Sequence, residues 1–243
     1  MACLHIILTA DLHGRLTREQ AQRLAAARRE YDALLLDAGD AVTAPNVLVW
    51  PWDEPIVPRM NEAGYDAMAR GNREFFFRRR GMERKLRAAR FPVLAANLRP
   101  RGGPRSLPLL GDVCLRSAQG DAVGVIGLAR EMIPPGGAAE VFSDLWFVPW
   151  VEAAREAVSR LRSEVAWLVA LSHLGSEADG ELAALCPELD LVLGGHAHPA
   201  ETVVRQVGRT TVVTAPPRLR QVPLLRSAGP QSPSEFTVEL LLL

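Results

Sequence analysis

Four of the five histidines of this chain stand close to glycines, carboxylates or one another, and each group follows an apolar run. The segments are Asp11-Leu12-His13-Gly14, Gly39-Asp40, Gly71-Asn72, Ser172-His173-Leu174-Gly175 and Gly194-Gly195-His196-Ala197-His198. The runs before them are His5–Leu8, Leu34–Leu36, the region near Met68, Trp167–Leu171 and Leu191–Leu193. Two carboxylates, one amide and four imidazoles combine hard oxygen with borderline nitrogen donors. Such a set suits Mn, Fe, Co, Ni or Zn better than Ca or Mg, which prefer shells of oxygen alone. Seven ligand residues exceed what one four-coordinate ion can use. They fit two divalent transition-metal ions if one carboxylate bridges, at roughly 3.5–4 Å separation, as in dinuclear hydrolytic sites. Metal binding lowers the pKa of water to about 7 in favourable sites, so a bridging hydroxide is the expected nucleophile near neutral pH.

Residues so far apart in sequence need a fold that gathers them. Side chains at the carboxyl ends of neighbouring parallel strands converge on one crevice. The N-terminal half alternates short apolar runs with helical segments, the pattern of parallel strands joined by crossover helices. Strands are expected at Leu4–Thr9, Ala33–Leu36, Ala67–Ala69 and Pro92–Ala96. Thr17 with Gln20 forms a capping box opening a helix to about Glu30. Helices are also expected over Ile56–Ala63, ended by Gly64, and over Arg78–Arg90. Val113–Leu128 reads as two β runs around the turn Gln119-Gly120-Asp121. The strongest helical pattern is Pro149–Glu164, with Val151, Ala154, Val158, Leu161 and Val165 on one stripe. Ala166–Leu171 and Leu189–Leu193 read as buried strands flanking a short helix near Ala178–Leu185. After Pro199 come only β runs, at Thr202–Gln206, Thr210–Thr214, Pro223–Arg226 and Phe236–Leu242. Ala44–Pro58 is irregular, and Arg99–Pro108 reads as a loop. One mixed α/β domain over residues 1–243 is the expectation.

Composition narrows the classes of function. With 28 Lys+Arg against 28 Asp+Glu the net charge is zero, which weakens nucleic acid or an anionic membrane as a partner. An apolar fraction of 48% excludes wholesale disorder, and no run reaches the roughly 18 apolar residues of a membrane span. Met1–Ala10 lacks the basic flank and cleavage site of a secretory signal, so a cytoplasmic protein is expected. Cys3, Cys114 and Cys186 are scattered, with no CxxC pair. Lys85, the only lysine, reads as a base-composition bias of the genome. Arg78–Arg90 carries seven basic residues opposed by Glu83 alone, either a solvated helix face or a lip for polyanions. Trp50 and Trp52 read as a substrate-stacking loop or one packed on the domain, and Leu240–Leu243 as an edge strand or a subunit contact. His5 reads as structural, while Asp37 and Asn97 are candidates for orienting metal ligands.

The ordered set DxH, GD, GN, H, GGHxH resembles the calcineurin-like metallophosphoesterases. The finer text is similar to the catalytic domain of the 5′-nucleotidase and UDP-sugar hydrolase branch, over roughly residues 4 to 215. It runs through Thr9–Gly14, Asp37–Asp40, Glu54-Pro55-Ile56, Gly64–Met68, Ala96-Asn97, Leu171–Gly175 and Gly194–His198. The resemblance implies a four-layer α/β/β/α sandwich with a mixed pair of β-sheets and two metals. One ion would be held by Asp11, His13, Asp40 and His198, the other by Asp40, Asn72, His173 and His196, with Asp40 as the bridge. Asp40, Asn72, Arg73 and His173 are the residues expected to act in catalysis.

Two departures stand out. The family places a histidine after the asparagine and an aspartate four residues beyond the asparagine, a pair that orients a proton donor toward the leaving group. Here Arg73 and Phe76 occupy those positions. Arginine offers fork-shaped donors to phosphate but, with a pKa above about 12, gives up no proton. The chain also stops where the metal domain would end, and Ala215-Pro216-Pro217-Arg218 replaces an expected glycine-rich stretch. The family's separate base-recognising C-terminal domain is therefore not expected, and nucleotide specificity does not carry over. The resulting expectation is a metal-dependent hydrolase of phosphate esters or pyrophosphate bonds. Its substrate would be small and phosphorylated, nucleotides included, and no membrane partner is expected. A nuclease-type phosphodiesterase and a non-catalytic metal-binding scaffold are the alternatives.

Overall fold

The computed structural model describes residues 3–49, 52–101, 109–134, 137–227 and 236–242. In chain order the first half gives β1 (His5–Thr9), α1 (Arg18–Glu30), β2 (Leu34–Asp37), α2 (Val57–Ala63), β3 (Ala67–Ala69) and α3 (Arg79–Leu86). Then follow β4 (Val93–Leu94), β5 (Leu98–Pro100), β6 (Leu109–Leu110), β7 (Asp112–Arg116) and β8 (Ala122–Leu128). The second half gives α4 (Ala139–Phe142), β9 (Leu145–Phe147), α5 (Trp150–Leu161), β10 (Trp167–Ser172), α6 (Ser176–Leu185) and β11 (Leu191–Gly194). It closes with β12 (Val203–Val207), β13 (Thr210–Thr214), β14 (Val222–Ser227) and β15 (Phe236–Leu241).

One sheet has the order β15-β14-β1-β2-β3-β4-β6, parallel from β1 to β6 and antiparallel at β14 and β15. The other has the order β12-β13-β11-β10-β8-β7, with parallel central strands and antiparallel edges. Strand periodicity assigns the faces. Ile6 and Leu8 of β1 and Leu34 and Leu36 of β2 meet Val125, Trp167, Val169, Leu191 and Leu193 of the opposite sheet. The alternate residues Ile7, Leu35 and Met68 face α1 and α2 through Leu24, Met60 and Val57. On the far side Leu168, Ala170 and Val192 pack beneath Ala154, Val158 and Leu161 of α5 and Leu182 of α6. The layers are therefore α/β/β/α, and the mixed sheets are those the resemblance implied.

Local signals act where expected. Thr17 Oγ1 accepts from the Gln20 amide at 3.1 Å, and Gln20 Oε1 accepts from the Thr17 amide at 3.0 Å, closing the capping box. Gly64 ends α2 in the left-handed conformation at φ 79°. Ala153 and Ala157 join the buried stripe of α5, whereas Val151 is only half-buried. Two expectations need correction. Leu98–Pro100, at the start of the supposed loop Arg99–Pro108, pairs antiparallel with Leu145–Phe147 in a separate two-stranded ribbon. Residues 102–108 of that loop lie outside the described residues. The helix expected over Arg78–Arg90 spans only Arg79–Leu86. β15 is an edge strand, as anticipated for the apolar terminus, with Leu240 half exposed; Leu243 lies outside the described residues. Among the described residues no helix is long and apolar enough to cross a membrane.

Candidate metal centre

The seven expected donors sit on loops after β1, β2, β3, β10 and β11, at the carboxyl edges of both sheets. Backbone hydrogen bonds lash these loops together. Asp11 N–H donates to Gly39 O at 2.9 Å and His13 N–H to Asp40 O at 3.0 Å. Gly195 N–H donates to Ser172 O at 2.9 Å. The two sheets meet at the site, where His196 N–H donates to Asp11 Oδ2 at 2.9 Å and the His173 ring donates from Nδ1 to Ala38 O at 2.7 Å. The close approach leaves no room for side chains at Gly39, Gly71 and Gly195. A Cβ on Gly71 would lie 2.2 Å from Asp40 Oδ1, so glycine is required before Asn72.

Five of the donor residues adopt left-handed backbone: Asp11 (φ 52°), His13 (48°), Asp40 (56°), His196 (69°) and His198 (49°). Such a conformation costs roughly 1–2 kcal/mol for a residue with a Cβ, and its clustering marks a functional site. The strain aims the side chains at one another. His198 Nε2 lies 3.0 Å and His13 Nε2 3.7 Å from Asp11 Oδ1. Asp40 Oδ2 is 3.6 Å from His13 Nε2, while its other oxygen, Oδ1, is 3.5 Å from His173 Nε2. Two compact donor groups result, Asp11 with His13 and His198, and Asp11 with Asp40 and His173. His196 joins neither, but its ring stands 5.1 Å from that of His173. Asn72 donates from Nδ2 to Asn46 Oδ1 at 3.1 Å.

The fit of divalent ions can be tested on the unpartnered atoms. His13 Nε2, His173 Nε2 and Asn72 Oδ1 are buried with no hydrogen-bond partner, and buried polar atoms are ordinarily satisfied. All three are lone-pair donors suited to a transition metal. Electrostatics agrees. Burial alone would raise Asp11 and Asp40, yet the neighbouring His13 and His173 imidazoles hold both carboxyls below their usual range. Burial likewise opposes charging of His173, but Asp40 and Asp11 carry it up to about 9. The pocket is thus built to hold positive charge.

Side chains the sequence reading passed over support these loops. Glu74, fully buried, accepts from the amides of Asp40 (3.0 Å), Val42 (3.0 Å) and Gly71 (2.8 Å), clamping the loop after β2 to the loop after β3. Glu54 accepts from the amides of Thr43 and Ala44. Lys85, for which the scarcity of lysine suggested no role, is 3% exposed and donates to the carbonyls of Arg73, Phe75 and Pro45. Its solitary status was the only signal in the sequence. Asp37 accepts from Thr9 Oγ1 and Gly39 N–H, so it shapes the turn before Asp40, and burial pushes its carboxyl up to about 8. Among the described residues the Asn97 side chain bonds only to the Ala129 backbone and touches none of the expected ligands, contrary to one expectation. His5 bonds Tyr31 O within the sheet, as a structural residue would.

Arg73 lies at the rim. Its side chain is 27% exposed, with Nε 4.0 Å from Asp40 Oδ2 and Nη1 donating to Thr43 O. Phe76 does not mirror the aspartate whose position it takes. Its ring occupies the space over Gly81, where a Cβ would come within 2.3 Å, and lies beside Phe77. On the basic helix, Arg79 pairs with Glu83, and Arg87 just beyond it pairs with Asp53. Trp52 is exposed, whereas Trp50 lies outside the described residues.

Comparison with known proteins follows the same lines. Residues 4–200 match the family model described as calcineurin-like phosphoesterase. The rat 5′-nucleotidase is 33% identical over 179 residues, covering 70% of this chain and 30% of that protein. The chain thus spans about a third of the length of the curated relatives it matches. Among solved structures, a 5′-nucleotidase precursor from Thermus thermophilus superposes with a TM-score of 0.77 at 26% identity, covering all of this chain and 55% of that one. The sulfate thiohydrolase SoxB of Thermus thermophilus shares the fold, with a TM-score of 0.77 at 21% identity, covering 98% of this chain and 56% of that one. A match running from the first strand through the last histidine pair makes this chain a member of the calcineurin-like phosphoesterase family.

Proposed function

We propose that the chain hydrolyses phosphate esters or pyrophosphate bonds at a site holding two divalent transition-metal ions. The carrying observation is Asp40, whose two oxygens face different imidazoles, His13 at 3.6 Å and His173 at 3.5 Å. A carboxylate placed that way can be shared by two ions. In this reading Asp11, His13, Asp40 and His198 hold one ion, and Asp40, Asn72, His173 and His196 the other. Ions there would lower the pKa of water toward neutrality and neutralise phosphoryl charge.

The chain's own residues supply the rest. Asn46 holds Nδ2 of Asn72, which leaves the buried amide oxygen without a partner and free to bind an ion. Glu74 fixes the backbone of Asp40 and Gly71, so the shared carboxylate meets substrate in one geometry. Arg73 carries a permanent charge at the rim and is suited to a non-bridging phosphoryl oxygen. It donates no proton, so the leaving group departs unassisted. Aryl oxides, or phosphates released from pyrophosphate linkages, leave most readily under that condition. Nucleoside di- and triphosphates carry such a linkage, whereas a nucleoside monophosphate would release a poor alkoxide; the 5′-nucleotidase relatives support a nucleotide-type substrate.

The test is a hydrolysis screen of protein loaded with Mn, Co or Zn, against aryl mono- and diesters, nucleotides, UDP-sugars and single-stranded nucleic acid. Asp40→Asn serves as the blank. Turnover of small phosphorylated compounds that Asp40→Asn abolishes supports the reading. Turnover equal in both proteins, or none with any metal, rejects it.

A further inference from the structure

Between α3 and the ends of β3 and β4 lies a cavity of about 300 Å³ that the proposed reaction does not use. Met82, Leu86, Phe91 and Val93 give it apolar walls. Arg70, Glu83 and Arg87 bring charge to it, and of these Arg70 alone is buried. Ala67 and Ala69 of β3 point into the core between the sheets and Met68 points toward the helices. Alternation therefore sends the next side chain, Arg70, to the helix side and into this cavity. The side chain is 1% exposed. Its Nη1 donates to Glu74 O at 2.9 Å, while Nε is buried with no partner.

No carboxylate among the described residues is paired with this guanidinium. The Glu74 carboxylate, the charge acting on it, is committed to three backbone amides. The other charged side chains of the wall are also engaged, Glu83 with Arg79 and Arg87 with Asp53. A desolvated cation with an unused donor is costly unless an anion completes it. With Nη1 taken by Glu74, the Nε–Nη2 edge is left, and that side-on edge receives a carboxylate through two parallel hydrogen bonds.

We propose that this cavity binds a small organic acid, its carboxylate on the Arg70 fork and its compact apolar body against Met82, Leu86, Phe91 and Val93. The volume sits at the lower end for ligand pockets, which limits the occupant to about ten non-hydrogen atoms. A phosphomonoester would bring more charge than one guanidinium matches, and a neutral ligand would leave Nε unpaired. The site is distinct from the metal centre, none of whose donors lines it.

The experiment titrates phenylacetate and hexanoate into the full chain by calorimetry, with phenylacetamide as the neutral counterpart of phenylacetate. Inorganic phosphate is added as a competitor able to reach the metal site. Arg70→Met and Leu86→Trp, which fills the cavity while keeping the cation, are titrated in parallel, with circular dichroism and metal content as controls. The expected result is a Kd of about 0.1–1 mM for at least one acid, as befits a ligand of this size. Phenylacetamide should bind at least about tenfold more weakly, each variant should lose at least about tenfold, and phosphate should not compete. If Arg70→Met does not fold, Leu86→Trp together with Arg70→Lys, which keeps the charge and loses the fork, decides the matter. Binding weaker than about 10 mM by the unmodified chain, undiminished binding by Leu86→Trp, or displacement by phosphate overturns the proposal.

Discussion

At the scale of single residues the chemistry turns on Arg73 and its neighbour Phe76. General-acid assistance is typically worth about 10²–10⁴ in rate and matters most for poor leaving groups. Without it, log kcat/KM should fall steeply with leaving-group pKa across a series of aryl and alkyl phosphates. A shallow slope would show that another side chain supplies the proton. Arg73→Ala should lower kcat/KM by about tenfold to a hundredfold while leaving metal content unchanged, since in the proposed reading its guanidinium meets phosphate rather than metal. Unchanged kcat/KM would remove Arg73 from the site. Restoring the family's pair is less simple than the aligned text suggests. The Phe76 ring fills the space over Gly81, so Phe76→Asp would leave a void and place a carboxylate among phenylalanines. A loss of about 3 kcal/mol or more in urea unfolding is expected from that change alone. The informative variant is therefore Arg73→His by itself.

At the scale of elements, the loops around the site hold their shape through buried carboxylates and one buried ammonium. Glu74→Gln keeps the size but halves the acceptor capacity shared by the Asp40, Val42 and Gly71 amides. It should lower stability by about 1–3 kcal/mol in urea unfolding and weaken metal retention about tenfold or more on dialysis. Retention equal to that of the unmodified chain would show that the clamp does not position Asp40. Gly71→Ala should be harsher still, because its methyl group would collide with the Asp40 carboxylate. The strands that carry the site were legible because Ile6, Ile7 and Leu8 alternate between two cores and the capping box at Thr17 is spelled in adjacent residues. The histidines and aspartates were legible because each follows such a strand. The ribbon of Leu98–Pro100 with Leu145–Phe147 was not, since three-residue strands carry no usable period and the partner lies far along the chain. Glu74, Lys85 and Arg70 were missed for a related reason. Their partners are backbone atoms and a cavity that exist only once separate loops have met, and no spacing rule encodes them.

At the scale of the whole molecule, pH should act on stability through a carboxyl remote from the rim. Asp179 of α6 is fully buried; Oδ1 accepts from Ser172 Oγ and Oδ2 has no partner, so burial pushes the group up to about 7. Between about pH 4 and pH 7 the folded chain keeps this proton while the unfolded chain releases it, so this group's contribution falls as pH rises. Asp179→Asn, which still accepts from Ser172, should remove that fall. The variant's stability relative to the unmodified chain should grow by a few kcal/mol, on the order of 1.4 per pH unit, across the window. A pH-independent difference would mean that Asp179 is ionised in the fold. The two-sheet architecture itself has one clear consequence: it brings Asp11 and Asp40 from one sheet against His173, His196 and His198 from the other. The most direct test of that account is elemental analysis of protein saturated with Mn, Co or Zn and freed of unbound metal. The account predicts about two ions per chain, with both occupancies lowered together in Asp40→Asn because its carboxylate is shared. A single ion at saturation, or unaltered occupancy in that variant, would contradict it.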